Sequence, residues 1–306
     1  RMSSFLFKGK ELSLLEISRK LNVCYILDGS IRKRGDIYKI SFQLVDTLTG
    51  FNVVSDSFSR EFDRLYDTEK SIVQTILGHF KFETTKKEEK QDYYLDPRAY
   101  DFYLKGKHYA FNWNMNAPKE AMKYYKQALD IVPNYSLALA GLSTIYTHMS
   151  IYQMGDEEEM MCKANEYAQK AVEADSNQAE GYVAKALAAF WTGNWFLPGF
   201  EENLKIALQL SPNNSEIRMF NGMNYLFNGD TDRALIEVKL AKTLDPYSVN
   251  IIIRLGLIYY VRRQYEDSYN TFLEMVGVEH YNAYSSQRLA WCCIRMNQFE
   301  RALKHL

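Results

Sequence analysis

Proline and glycine are scarce, with 6 and 15 residues in a chain of 306. So little turn chemistry disfavours a turn-rich β protein and favours long helices. Long apolar runs are missing as well. Residues 186–191 and 255–261 fall far short of the roughly 18 that a membrane span needs, and Arg254, Arg262 and Arg263 bound the second. No membrane span is expected. Nor is there an excess of positive charge: 37 Lys and Arg stand against 38 Asp and Glu, a net charge of −1. That removes the electrostatic footprint of a direct nucleic-acid or anionic-membrane binder. Cys24, Cys162, Cys292 and Cys293 form no C-x-x-C pair and lack His at metal-ligand spacing. They are expected to be small buried hydrophobes. There is no secretory leader, and the chain opens at Arg1, so a fragment of a longer protein is expected. What remains, 47% hydrophobic and 25% charged, is the composition of a folded protein with room for two domains or one elongated array.

Two regimes divide the chain near residue 90. Residues 11–21 read as a helix, with Leu12, Leu15, Ile17 and Leu21 apolar. The apolar run 23–27 is then closed by Asp28-Gly29-Ser30, read as a turn. Tyr38, Ile40, Phe42 and Leu44 alternate with Lys39, Ser41 and Gln43, the period of two of a strand with one buried face. Arg34-Gly35-Asp36 before it reads as a hairpin turn; it also spells an integrin-binding tripeptide, but Gly-Asp is what a tight turn wants. Thr49-Gly50 turns into a third strand at 51–58, and residues 68–80 are helical again. The predicted organisation is a small α+β domain with an antiparallel meander at 1–82. A charged linker follows at 83–95, containing the apolar-free run 86–92, and then a helical array at 96–306.

The array is repetitive. Pro212-Asn213, Asp245-Pro246 and Glu279-His280 mark turns whose positions 212, 246 and 280 lie 34 residues apart. Between them recurs the tetratricopeptide arrangement, W-x2-L-G-x2-Y, then A-x3-F, then P. Gly222 and Tyr225 precede Ala234, Val238 and Ala241, and Gly256 and Tyr259 precede Ser268, Phe272 and Met275. Gly106 and Tyr109 lead to Ala121, Tyr125 and Ala128, while Leu142 and Tyr146 lead to Ala164, Ala168 and Ala171. A degenerate copy carries Tyr182, Ala186, Ala189 and Ala207. The last has Leu289, Ala290 and Ala302 and stops within its second helix. About five full repeats and part of a sixth are predicted. From Pro133 to Ser176 is 43 residues, nine beyond the period. The surplus, around 151–161, carries Asp156-Glu157-Glu158-Glu159, read as a solvated loop and helix start. The fold class is therefore mainly α: a helix-turn-helix solenoid preceded by a small, truncated α+β domain.

No Gly-rich phosphate loop or G-x-S-x-G elbow is present, and the five histidines are scattered without an i, i+4 pair. No catalysis, metal or cofactor is expected. A tetratricopeptide array offers instead a groove lined by the first helix of each pair. Helical spacing nominates Val183, Leu187, Phe190 and Trp191; Met219, Met223 and Phe227; Ile253, Leu257 and Tyr260; and Gln287, Trp291 and Arg295. Met, Leu and aromatic side chains at these places disfavour a clamp for a peptide's terminal carboxylate and suit a helical or apolar segment. The alternative is that they pack against neighbouring repeats or a second protomer.

The first region also resembles a known family. Residues 1–5, Phe7-Lys8-Gly9-Lys10, Leu21-Asn22-Val23, residues 27–32 and Gln43-Leu44-Val45-Asp46 resemble the second half of the TolB amino-terminal-like (FlgO-like) domain. Residues 99–101 and 103–106 resemble the lead-in to the repeats that follow that domain, and Asn194-Trp195 a motif within the third. Val54, Phe58 and Glu69 depart from the family's Trp, Tyr and Gln. The resemblance implies a bacterial signal-transduction or transcription-regulatory protein. Its repeats would bind a protein or peptide partner and control an upstream cyclase, DNA-binding or kinase domain. A structural homo-oligomerisation module or a free-standing adaptor are the alternatives. Unpaired cysteines favour the cytoplasm, whereas a membrane segment ahead of Arg1 would place the module in the periplasm.

Overall fold

The computed structural model describes residues 7, 11–35, 37–61, 65–80, 96–111, 116–191, 198–278 and 281–306, without the side chains of 65–67, 69, 70, 111, 191 and 198. The chain divides into two units, Lys10–Ser176 and Asn177–Leu306 with Phe7.

The first unit opens with α1 (Leu14–Leu21), whose start is fixed by a capping box: Ser13 accepts from the Glu16 amide, and Glu16 reaches back to the Ser13 amide. Three antiparallel strands follow in the order β1 (Tyr25–Arg34), β2 (Ile37–Asp46), β3 (Asn52–Glu61). The alternation read in the sequence is realised in β2, where Ile40, Phe42 and Leu44 are buried. Gly35 turns β1 into β2 at φ +61°, and Gly50 turns β2 towards β3 at φ +74°. Asp46 closes the second turn by accepting from the Leu48 and Thr49 amides at 2.9 Å; Asp36 lies outside the described residues.

One expectation fails here. Asp28-Gly29-Ser30 is no turn: β1 runs straight through it, pairing Asp28, Gly29 and Ser30 with Gln43, Phe42 and Ser41. Cross-strand pairing overrides the local propensity, and the glycine is explained by space, because a Cβ at Gly29 would sit 2.9 Å from the Ser41 carbonyl. The helix read at 68–80 is α2 (Leu65–His79), packed on β3. The expected linker, 83–95, lies outside the described residues.

The helical pairs follow the repeats in order. In the first unit these are α3 (Pro97–Phe111) with α4 (Ala117–Ile131), and α5 (Ser136–Ile151) with α6 (Glu157–Ala174). In the second they are α7 (Ala179–Trp191) with α8 (Pro198–Leu210), α9 (Ser215–Phe227) with α10 (Thr231–Leu244), α11 (Val249–Val261) with α12 (Tyr265–Leu273), and α13 (Asn282–Arg295) with α14 (Phe299–Leu303). The nine surplus residues lengthen α5 and α6 to 16 and 18 residues. The acidic run is the exposed first turn of α6, with Asp156 capping the Glu159 amide at 2.8 Å.

Small residues set the helix spacing. A Cβ at Gly256 would lie 2.6 Å from the ring of Phe272, and one at Gly222 would lie 2.5 Å from Cγ2 of Val238. Phe272 and Val238 fill the space these glycines vacate and are buried. Tyr225 and Tyr259 pack on the cluster that joins α9, α10 and α11. Polar staples then fix neighbouring pairs: Arg262 at the end of α11 donates to Asp232 at 2.6 Å and to Thr231 at 3.0 Å on α10, and Lys242 pairs with Glu274. Within a pair, Ser268 donates to the Gly256 carbonyl at 2.8 Å. Cys292 and Cys293 are buried, as expected of small hydrophobes, but Cys24 and Cys162 are exposed. All four are free thiols. Among the described residues no helix is long and apolar enough to cross a membrane.

Candidate partner-binding groove

The thirteen side chains nominated from helical spacing all belong to the second unit, and burial sorts them into two groups. Leu187, Phe190, Met219, Met223 and Ile253 are buried. Phe190 lies 5.0 Å from Phe200 and 5.3 Å from Phe227, centroid to centroid. Met219 is part of the core joining α9 to α10 and α11, and Ile253 part of the core joining α11 to α12 and α13. Val183 packs against the Ala179, Ala207 and Ile217 cluster. For these residues the apolar side chain is used inside the chain, because first helices of successive pairs close on one another. The side chain of Trp191 lies outside the described residues.

The accessible group is different in kind. Phe227 is 45% exposed and Trp291 40%, and Gln287 and Arg295 are exposed, with Leu257 and Tyr260 intermediate. Sequence spacing missed two members. Arg288 and Tyr284 lie on the same side of α13 as Trp291 and Arg295, at intervals of four, three and four residues. The opposite side of α13, with Ser285, Leu289, Cys292 and Cys293, is buried. The signal that could have found them is the 34-residue period itself: Arg288 stands where Arg254 and Phe220 stand in the two preceding repeats.

These groups form a ladder of cations and rings. The Arg288 guanidinium lies 4.7 Å from the Tyr284 ring centre and 4.5 Å from that of Trp291. Arg295 donates from Nη2 to the Tyr265 hydroxyl at 2.8 Å and from Nε at 3.1 Å. Its guanidinium is 5.3 Å from that ring, which in turn meets Tyr260 of α11 edge-on at 5.4 Å. The Tyr265 hydrogen bond holds the Arg295 pKa above its ordinary value. Each stacking contact is worth about 0.5–1 kcal/mol at an exposed site. Among the described residues, neither guanidinium has a carboxylate within 4.0 Å. The arrangement holds two oriented cations beside aromatic surface, Arg295 exposed and Arg288 half-buried with its Nε shielded from solvent. Arginine fixed in this way loses little rotamer freedom when it meets a carboxylate.

No family model matches the chain. Over 195 residues it is 29% identical to a Rhizobium meliloti (strain 1021) protein named "Putative adenylate cyclase 3", an alignment covering 62% of this chain and 33% of that protein. It is 27% identical over 164 residues to the transcriptional regulator HilA of Salmonella typhimurium, covering 52% of this chain and 28% of HilA. The chain thus spans about a third or less of the length of these relatives. A crystal structure of a thermophilic TPR protein from Thermus thermophilus superposes with a TM-score of 0.52 at 17% identity, covering 64% of this chain and 99% of that one. The helical pairs are therefore a tetratricopeptide solenoid, a fold suited to protein–protein interaction.

Proposed function

We propose that the chain is a non-catalytic scaffolding and sensing region of a bacterial regulatory protein, and that its helical groove captures a protein segment carrying acidic and apolar side chains. The observation that carries this reading is the α13 ladder. Arg288 and Arg295 are held against aromatic rings and have no carboxylate in ion-pair reach among the described residues. Tyr260 on the preceding first helix, α11, joins the ladder through Tyr265, and Leu257 on α11 and Phe227 on α9 are accessible apolar side chains. The wider setting, control of an upstream output domain, draws support from the relatives, one named as a cyclase and one as a transcriptional regulator. Partner binding would then act by favouring one state of that output.

The test is fluorescence polarisation with two labelled amphipathic peptides of equal length, one of Glu and Leu, the other of Lys and Leu. The acidic peptide should bind and the basic one should not. Binding should weaken in high salt, because the pairs are near the surface. Arg288→Ala with Arg295→Ala should weaken it by at least about tenfold, the equivalent of ~1.4 kcal/mol. Equal affinity for both peptides would remove the electrostatic part of the proposal.

A further inference from the structure

The corner between α5 and α6, where the surplus residues fall, brings thioethers together through two capping motifs. At the end of α5 the Met154 amide donates to the Met149 carbonyl at 2.8 Å and the Gln153 amide to the Ser150 carbonyl at 3.0 Å, with Gln153 at φ +53°. This is a Schellman motif, whose outer residues commonly pack side chain on side chain; here they are Met149 and Met154. At the start of α6 Asp156 is the N-cap. The residue before a cap and the fourth of the helix form a staple, here Gly155 and Met160. Gly155 has no side chain to offer, so Met160 lies on its backbone: a Cβ there would be 2.9 Å from Cε of Met160 and 3.7 Å from its Sδ. Met160 is thereby placed next to the neighbour of Met154, and both pack against the cluster that contains Met149.

A methionine used only to fill a core needs no access to solvent. Met149 is buried, but Met154 and Met160 are half-buried and leave a way in. Acids surround that opening. Asp156, Glu157, Glu158 and Glu159 are exposed, and Glu157 and Glu158 are in no ion pair among the described residues. Their field attracts cations to the corner. Soft sulfur selects Cu(I), whereas carboxylate and carbonyl oxygen suit magnesium, calcium and manganese. We propose that Met149, Met154 and Met160 bind one Cu(I) ion through their three sulfurs. Each thioether donates a lone pair to an ion delivered as Cu(I), and no electron is transferred. His and Cys spacing, which gives no zinc site in the sequence, takes no account of thioethers. Among the described residues no group of three or more His, Cys, Asp or Glu offers a competing site. Cys162 is exposed two positions beyond Met160 and so projects from another side of α6.

The test is anaerobic competition for Cu(I) against bathocuproine disulfonate. It uses the whole chain carrying Cys24→Ser and Cys162→Ser, which removes the exposed thiols. One Cu(I) per chain should be retained. Met149→Leu, Met154→Leu and Met160→Leu in that background should each weaken retention by at least about tenfold, a loss that even an outer-shell partner produces. Leucine nearly conserves the side-chain volume, so melts without copper should show all three variants folded. With the methyl groups of methionine labelled with carbon-13, Cu(I) should move three of the eleven signals, the three that the leucine variants remove. A chain without the exposed thiols that retains no Cu(I) overturns the proposal. So does retention unchanged in all three leucine variants, or movement confined to other methionine signals.

Discussion

α9 and α13 occupy the same place in the repeat, two periods apart, and differ in what two of four matched positions bury. Met219, Phe220, Met223 and Phe227 on α9 correspond to Gln287, Arg288, Trp291 and Arg295 on α13. On α9 the two methionines are buried and Phe227 touches Phe190; on α13 the corresponding Gln287, Trp291 and Arg295 are exposed. On α9, Met219 lies under the first helix of the pair that follows, α11, whereas α13 is followed within this sequence by α14 alone.

The largest effect expected from that contrast is a pair of substitutions to lysine. Met223→Lys should cost about 3 kcal/mol or more, because it places an ammonium where no partner waits. Trp291→Lys at the equivalent place should cost about 1 kcal/mol or less, chiefly the stacking with Arg288. Urea unfolding of both variants checks this; similar losses would show that the two helices are not used differently.

A second comparison runs through Gly222, Gly256 and Ala290, which stand 34 residues apart at the close approach of each pair. Gly256→Ala should destabilise by about 1–3 kcal/mol despite alanine's better helix propensity, since the new methyl overlaps the enclosed Phe272 ring. Gly78, near the end of α2, has open space around it. There the same substitution should stabilise by roughly 0.5 kcal/mol, the smallest effect expected here. Denaturant midpoints of the two variants should move in opposite directions.

Between these in size lies a pH effect within α5. His148 is partly exposed, but its Nδ1 is shielded from solvent, and burial lowers the pKa from 6.5 to about 4. Below pH 6.5 the unfolded chain takes up a proton that the folded chain accepts only near pH 4. Stability from this group is therefore complete above pH 6.5 and is lost as pH falls towards 4, by ~1–3 kcal/mol. Thermal melts between pH 7 and 4.5 should show the decline, and His148→Leu should flatten it.

The repeats were legible because their constraints are periodic and local. Gly222, Gly256 and Ala290 announce close helix contacts, and the Ala-rich positions of the second helices fall where the cores lie. β2 was equally plain from its alternation. β1 was misread at Asp28-Gly29-Ser30 because local turn chemistry competes with a pairing that only β2 supplies. The exposure of the first-helix row was half legible. Spacing finds which residues share a side of a first helix, but not how closely the neighbouring first helices approach, so Met223 and Ile253 look like surface until packing buries them. The same reasoning passed over Arg288, which gains its meaning from Tyr284 and Trp291 on either side of it.

The most direct measurement is the affinity of the acidic Glu–Leu peptide for the wild-type chain and for Arg288→Glu with Arg295→Glu, alongside the urea stability of both proteins. The account predicts binding that falls by more than about tenfold, or ~1.4 kcal/mol, while stability falls by about 1.5–3 kcal/mol, the stacking contacts of Arg288 and Arg295, and the chain stays folded. Undiminished binding by a stable double variant would contradict it.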